Sequence, residues 1–160
     1  MNQEMRVCLS RWVCQDVESN LARFEGECGR AVEAGATIVV FPELFLTGYT
    51  REVDPADVRD RFSRLSADAP ETLFLFGSIS EERRNRLTAW AAGEQIAFYD
   101  KIHLFDVQLM ETDERYHESN TIEPGDQVVV LDSGRCIACG KPDWTMAHCP
   151  SGATSTAPRT

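Results

Sequence analysis

The hydrophobic and polar positions of the chain follow a helical period in two separate stretches. After Asp16, which can cap a helix, apolar residues recur at three- and four-residue spacing until Gly35 ends the pattern. A second capped stripe begins at Asp54-Pro55. The sequence therefore predicts two amphipathic helices.

Short apolar runs around these helices predict strands. Residues 37–41 (TIVVF) are apolar on successive positions and stopped by Pro42, which is typical of a strand buried on both faces of a sheet. A hairpin is predicted at Gly93-Glu94. The order β-α-β-α followed by consecutive strands predicts an α/β layered sandwich, with residues 37–41 central and both helices on one face. The other predicted strands are residues 6–13, 72–79, 87–92, 95–100 and 127–132.

The apolar residues of the C-terminal segment show neither helical periodicity nor strand alternation. From Gly140 to Thr160, 14 of 21 residues are Gly, Pro, Ser, Thr or Ala, a composition that does not build a core. We therefore expect residues 1–134 to form the N-terminal part of one domain and residues 135–160 to be an irregular tail.

Charge and cysteine content narrow the function classes. The 160 residues carry 16 basic and 26 acidic side chains, and a net charge of −10 disfavours nucleic acid and anionic membranes as partners. Because the sequence contains neither a membrane-spanning apolar run nor a signal-peptide pattern, we expect a cytoplasmic protein with reduced thiols. Cys8, Cys14 and Cys28 fall in strand or helix patterns and are expected to be small buried apolar residues.

The first motif with chemical potential is VVFPELFLTGY, residues 39–49. It places Glu43 at the carboxyl end of the predicted buried strand, the edge at which open α/β sheets bind ligands. Flanking by Phe41, Leu44 and Phe45 predicts a partly desolvated carboxylate, which suits a general base. The alternative is a solvated loop glutamate.

Two further motifs follow. YDKIHLFD, residues 99–106, holds Lys101 among aromatic side chains, where a compact ammonium can stabilise an oxyanion. The alternative is an ordinary surface lysine.

YHESNTIEPGD, residues 116–126, places Glu118 before a Pro124-Gly125 turn and is by itself only a polar loop.

In this order the three motifs resemble the nitrilase, or carbon-nitrogen hydrolase, superfamily over residues 5–134, and most of all its Nit and omega-amidase branch. The resemblance implies an α-β-β-α sandwich, usually a homodimer, without a metal or organic cofactor, that hydrolyses small carboxylated amides through a cysteine thioester. It implies that Glu43 is the general base, that Lys101 stabilises the oxyanion, and that Glu118 supports them. Tyr49 and His103, in the same motifs, are candidate substrate-binding residues.

The chain departs from this pattern where the nucleophile is expected. Related sequences have a strand that ends in a cysteine followed by Tyr-Asp, an Arg and Pro, whereas residues 133–152 here are SGRCIACGKPDWTMAHCPSG. Cys139 lies at a matching distance from Lys101, but Gly140-Lys141-Pro142 replaces the turn, and the second half of the sandwich is missing. We therefore favour the hypothesis that the chain is a truncated or frameshifted product with negligible amidase activity over the hypothesis that it is a variant enzyme.

Three hypotheses follow from the sequence. The chain is an amidase that uses a cysteine, or an inactive nitrilase-like remnant with an uncovered apolar face. In the third hypothesis its tail binds zinc, because Cys136 and Cys139 with His148-Cys149 have suitable ligand types. Adjacent side chains such as His148 and Cys149 rarely reach one ion together, which weighs against zinc.

Overall fold

The structure, a computed structural model, describes residues 5–110, 114–132 and 137–139, with Asp132 and residues 137–139 described by their backbone alone. Two helices alternate with the first strands and a run of strands follows, as the sequence predicts. The helices are α1 (Val17–Glu33) and α2 (Pro55–Asp68), and Glu118–Asn120 form a 3-10 turn. The strands are β1 (Val7–Leu9), β2 (Ile38–Val40), β3 (Leu73–Glu81), β4 (Arg84–Ala91), β5 (Glu94–Asp100), β6 (Asp106–Gln108), β7 (Arg115–His117), β8 (Val130–Asp132) and β9 (Ile137–Cys139).

Strands β1 to β5 form one sheet in sequence order. β1, β2 and β3 are parallel, whereas β4 and β5 continue the sheet as antiparallel neighbours. β2 lies inside the sheet between β1 and β3 and not at an edge, as predicted for residues 37–41, although the middle strand of the five is β3. The β4–β5 hairpin adds two strands on the β3 side and so displaces the centre.

Both helices cover the same face of this sheet, as predicted. Phe24 of α1 lies 5.5 Å from Phe62 of α2, measured between ring centroids. Both rings contact Phe76 of β3, at 5.1 Å and 4.1 Å. All three side chains are 1% exposed or less. The aromatic core therefore lies between the helices and the sheet.

The predicted helix caps are present. The Asp16 carboxylate accepts hydrogen bonds from the Ser19 backbone N–H at 2.8 Å and from its hydroxyl at 2.7 Å. Asp54 accepts from the Ala56 N–H at 2.9 Å, with Pro55 opening α2. Each cap satisfies a backbone donor that the first helical turn leaves unpaired.

The opposite face of the sheet carries a smaller apolar cluster. Side chains alternate between the two faces along a strand, so Ile38 and Leu73 point away from the helices while Val39 and Phe74 point toward them. Leu131 of β8 packs against this second cluster.

The strand boundaries differ from prediction in several places. β1 ends at Leu9 rather than residue 13, and β8 contains only Val130–Asp132 of the predicted residues 127–132. β8 pairs with β9, which lies in the segment predicted to be irregular. The β6–β7 pair was not predicted at all.

The β3–β4 hairpin begins its return strand at Arg84, three residues earlier than predicted. Its turn residues Glu82 and Arg83 both have positive φ, 48° and 60°. Glycine or asparagine usually marks such a turn, and neither is present, so the sequence carries no turn signal here. The β4–β5 turn lies at Ala92-Gly93, one residue before the predicted position, because β5 begins at Glu94.

The three cysteines that the sequence predicts to be buried follow this expectation only in part. Cys28 is buried and Cys8 is half-buried, but Cys14 is exposed and lies outside any strand or helix.

Within the described ranges, neither helix combines the length and apolar composition that crossing a bilayer requires.

Candidate active site

The loop that carries Glu43 is packed directly on β3. The Leu44 N–H donates a hydrogen bond to the Ser78 hydroxyl at 3.2 Å. At Gly77 a Cβ atom would lie only 1.6 Å from the Pro42 carbonyl oxygen. Glycine is therefore required where the turn after β2 crosses β3, and this close approach fixes the backbone next to Glu43.

Lys101 follows the last residue of β5 and is held by its main chain from two sides. Its N–H donates to the carbonyl oxygen of Asn85 on β4 at 2.9 Å, and its carbonyl oxygen accepts from the Gly125 N–H at 2.9 Å. A Cβ at Gly125 would come within 2.3 Å of the Asp100 carbonyl oxygen. The Pro124-Gly125 turn of the third motif thus anchors the second motif.

Glu118 opens the 3-10 turn after β7. Its Oε2 accepts a hydrogen bond from the Phe105 backbone N–H at 2.7 Å. The next N–H, that of Ser119, donates to Oδ1 of Asp106 at 3.0 Å. These contacts hold the turn against the start of the β6–β7 hairpin and direct the Glu118 carboxylate toward Lys101.

The structure brings Glu43, Lys101 and Glu118 into one cluster. Lys101 Nζ lies 2.8 Å from Glu43 Oε1 and 2.8 Å from Glu118 Oε2. The side chains of Glu43, Lys101 and Glu118 are 21%, 23% and 12% exposed. A single ammonium therefore bridges two partly buried carboxylates, and the three groups together carry a charge of −1.

Asn85 completes the cluster and was missed by sequence reasoning. Its Nδ2 lies 2.6 Å from Glu43 Oε1 and 2.9 Å from Glu118 Oε1, and the residue is 3% exposed. It was missed because the charged segment before it, EERR, was not predicted as a strand. A buried asparagine near the start of β4 could have been found only if the β3–β4 turn had been recognised.

The carbon-nitrogen hydrolase family profile matches residues 5–140 of the sequence. The chain belongs to this family. The match covers all three motifs and every member of the cluster, and thus confirms the resemblance to the nitrilase superfamily.

Individual proteins are also similar to this chain. A hydrolase of Schizosaccharomyces pombe is 30% identical over 158 residues, which is 86% of this chain and 49% of that protein. The omega-amidase NIT2 of Xenopus tropicalis is 30% identical over 146 residues, which is 83% of this chain and 52% of that protein. The chain thus spans about half the length of the curated relatives it matches.

Solved structures show the same fold. An amidase from Nesterenkonia sp. superposes with a TM-score of 0.67 at 22% identity, over 87% of this chain and 55% of that one. A mutant of the Nesterenkonia sp. AN1 amidase in complex with butyramide gives a TM-score of 0.69 at 23% identity, over 86% of this chain and 55% of that one.

Interactions within the cluster shift the pKa values of Lys101 and Glu118 in opposite directions. Burial opposes the charged form of Lys101, but hydrogen bonds with Glu118 and Glu43 outweigh it and raise the pKa of the ammonium. Burial likewise opposes the charged form of Glu118, but hydrogen bonds from Lys101, Asn85 and the Phe105 N–H lower the pKa of its carboxyl. Both shifts keep these groups charged at neutral pH.

The Glu118 carboxylate is expected to stabilise the fold only while it is charged. Its folded pKa lies below the ordinary value of 4.5, so the stabilisation is fully present above pH 4.5 and is lost as the pH falls through the folded pKa. The check is urea unfolding of wild type and Glu118→Gln between pH 3 and 7. The difference in unfolding free energy should shrink toward acid pH, and a difference that does not depend on pH would contradict this expectation.

The other two predicted site residues, Tyr49 and His103, are exposed and are not held in the cluster by hydrogen bonds among the described residues. Tyr49 lies within electrostatic range of Glu43, Lys101 and Glu118, but its side chain is 81% exposed. His103 is also exposed. Neither forms a hydrogen bond with the cluster within the described part of the chain.

The cysteines divide into those that the structure describes and those that it does not. Burial and nearby glutamates raise the pKa of Cys28 to about 12, which makes it a poor source of thiolate. The backbone of Cys139 lies in β9 opposite Val130, while its side chain lies outside the described residues. The predicted zinc ligands Cys136, His148 and Cys149 also lie outside them, and the described residues contain no group of three or more potential ligands that could hold a metal.

Proposed function

We propose that this chain acts as an amidase, hydrolysing the amide of a small carboxylated molecule to an acid and ammonia through a cysteine thioester. The observation that carries the proposal is the Lys101 ammonium held at 2.8 Å from both Glu43 and Glu118. A fixed cation beside a carboxylate provides an oxyanion stabiliser and a base at one place. The substrate class rests on the similarity to the omega-amidase of Xenopus tropicalis.

The hydrogen bonds support different roles for the two glutamates. Glu118 accepts on both oxygens, with Asn85 on Oε1 and with Lys101 and Phe105 N–H on Oε2. Glu43 accepts from Asn85 and Lys101 on Oε1 alone. Among the described residues no donor contacts Glu43 Oε2, so this oxygen is available to take a proton. We therefore assign Glu43 as the base and Glu118 as the residue that positions Lys101.

The Lys101 ammonium has one more hydrogen-bond donor than the two carboxylates use. An ammonium has three N–H groups, and the two carboxylates occupy two of them. The third can donate to the oxygen of a substrate amide. Since hydrogen bonding raises the pKa of Lys101, the charge persists through the pH range in which a thiol is a useful nucleophile.

The proposed reaction proceeds in two stages, with Cys139 as the candidate nucleophile. Glu43 removes the thiol proton, the sulfur bonds to the amide carbon, and the oxyanion forms against Lys101. As the oxyanion collapses, the C–N bond breaks and Glu43 returns its proton to the nitrogen, so that ammonia leaves and a thioester remains. Glu43 then takes a proton from water, whose oxygen bonds to the thioester carbon and forms a second oxyanion against Lys101. As this oxyanion collapses, the C–S bond breaks and Glu43 returns its proton to the sulfur, so that the acid leaves and the thiol is restored.

The test measures ammonia release from small omega-amides by the purified chain. We expect Glu43→Gln and Cys139→Ala each to remove enzymatic release, because they delete the base and the nucleophile without removing the other charges. Cys14→Ala removes an exposed thiol outside the cluster and serves as the matched control. Ammonia release by wild type at the uncatalysed rate would overturn the proposal and favour the inactive remnant. Release that survives Cys139→Ala would exclude Cys139 as nucleophile.

A further inference from the structure

The side-chain amide of Asn85 contacts both carboxylates of the cluster. Its Nδ2 lies 2.6 Å from Glu43 Oε1 and 2.9 Å from Glu118 Oε1. An amide nitrogen carries two N–H groups, so each carboxylate can accept one of them. Because the residue is only 3% exposed, water does not readily replace these hydrogen bonds.

The main chain of Asn85 contacts Lys101, the third charged residue of the cluster. Its carbonyl oxygen accepts the Lys101 N–H at 2.9 Å. Asn85 is also paired with Ser80 in the β3–β4 ladder, which fixes its position in the sheet. One residue therefore touches Glu43, Lys101 and Glu118, and it does so from a strand rather than from a loop.

The charges of the cluster explain why such a contact matters. Two neighbouring carboxylates repel each other, and Lys101 neutralises only one of their charges. Without a further donor, a carboxylate can rotate toward the third N–H of Lys101 or take up a proton. Two N–H groups from Asn85 oppose both changes, because they fix one oxygen of each carboxylate and favour its charged form.

We propose that Asn85 is a positioning residue that fixes Glu43 Oε1 and thereby selects Glu43 Oε2 as the atom that accepts the proton. This inference rests on the proposed amidase function for its consequence, but the contacts themselves do not depend on activity. The experiment therefore has two arms. One detects the hydrogen bonds of Asn85 by NMR, and the other measures the effect of replacing Asn85 on catalysis.

The first arm is NMR of the whole chain with ¹⁵N-labelled asparagine. The sequence contains four asparagines, at positions 2, 20, 85 and 120, so the side-chain spectrum is small enough to assign by substitution. Both Nδ2 protons of Asn85 should shift as the glutamates titrate. Glu43→Gln should remove the response of one proton and Glu118→Gln that of the other. Asn85 protons that do not respond to either substitution would overturn the proposal.

The second arm compares Asn85→Leu with Asn20→Leu. Asn20 is an equally buried amide, 1% exposed, but it donates to the Leu46 and Gln15 carbonyl oxygens rather than to a carboxylate. Both substitutions should lower the free energy of unfolding. Asn85→Leu alone should lower kcat at least about tenfold with little change in KM, because the base is misplaced rather than substrate binding lost.

The pH profile separates positioning from a merely structural role. Loss of a hydrogen bond to a charged carboxylate favours protonation, so the acidic limb of kcat/KM should move to higher pH in Asn85→Leu and stay in place in Asn20→Leu. Equal effects of the two substitutions on kcat and on the profile would overturn the proposal. If Asn85→Leu does not fold, the NMR arm on the wild-type side chain decides. A wild type without ammonia release refutes the proposed function, while the NMR arm still tests the contacts of Asn85.

Discussion

Replacing Lys101 with alanine should reduce kcat/KM for a small omega-amide by about 10²–10³-fold or more, the usual cost of removing an oxyanion-stabilising donor. The substitution also leaves Glu43 and Glu118 facing each other without the ammonium that now lies 2.8 Å from each. Without the ammonium, which helps to lower the pKa of the Glu118 carboxyl, Glu118 should take up a proton at a higher pH than in wild type. Steady-state ammonia release measured against pH checks both expectations.

Two further substitutions separate charge from geometry at this position. Lys101→Arg keeps a cation but replaces a compact ammonium with a planar fork, so activity should remain well below wild type. Lys141→Met removes the only other lysine of the sequence and serves as the control for loss of a positive charge. Wild-type activity in Lys101→Ala would contradict the proposed role of this residue.

Replacing Gly77 with alanine should lower the free energy of unfolding by about 3 kcal/mol or more, because overpacking against backbone cannot be relieved by rotating a side chain. The new Cβ would lie 1.6 Å from the Pro42 oxygen, 2.3 Å from its carbonyl carbon and 2.6 Å from the Phe41 oxygen. To accommodate it, the turn that carries Glu43 must move away from β3. Urea unfolding gives the stability, and amidase assays on the folded fraction give the effect on the site.

Gly29 offers the matched control for this substitution. It lies in α1, and a Cβ there would meet nothing within 4 Å. Gly29→Ala should therefore stabilise the chain by about 0.5–1 kcal/mol, since alanine loses less backbone freedom than glycine in a helix. If Gly77→Ala unfolds at the same urea concentration as wild type, the close packing of the Glu43 turn on β3 is disproved.

Local sequence features predicted both helices and the buried strand between them. The caps Asp16 and Asp54 act on donors within three residues of themselves, and the apolar stripes of both helices repeat within single turns. The buried strand before Pro42 is likewise defined by its own residues. These elements were predicted correctly because the interactions that define them lie close together in the chain.

The β3–β4 hairpin shows where local signals fail. Glu82 and Arg83 adopt positive φ in its turn although neither residue type favours that conformation. The pairing of β3 with β4 and the packing of both strands over the aromatic core determine this turn. The early start of β4 was missed for this reason, and Asn85 was missed with it.

The sequence by itself determined both helices, the buried strand before Pro42, the three motifs, the family and the identities of Glu43, Lys101 and Glu118 as candidates. Only the tertiary structure decided that these residues form one hydrogen-bonded cluster with Asn85 at its centre. Glu43 and Lys101 are 58 residues apart, and Asn85 lies 42 residues from Glu43. Contacts over such separations depend on strand order and register, which no local pattern of residues specifies.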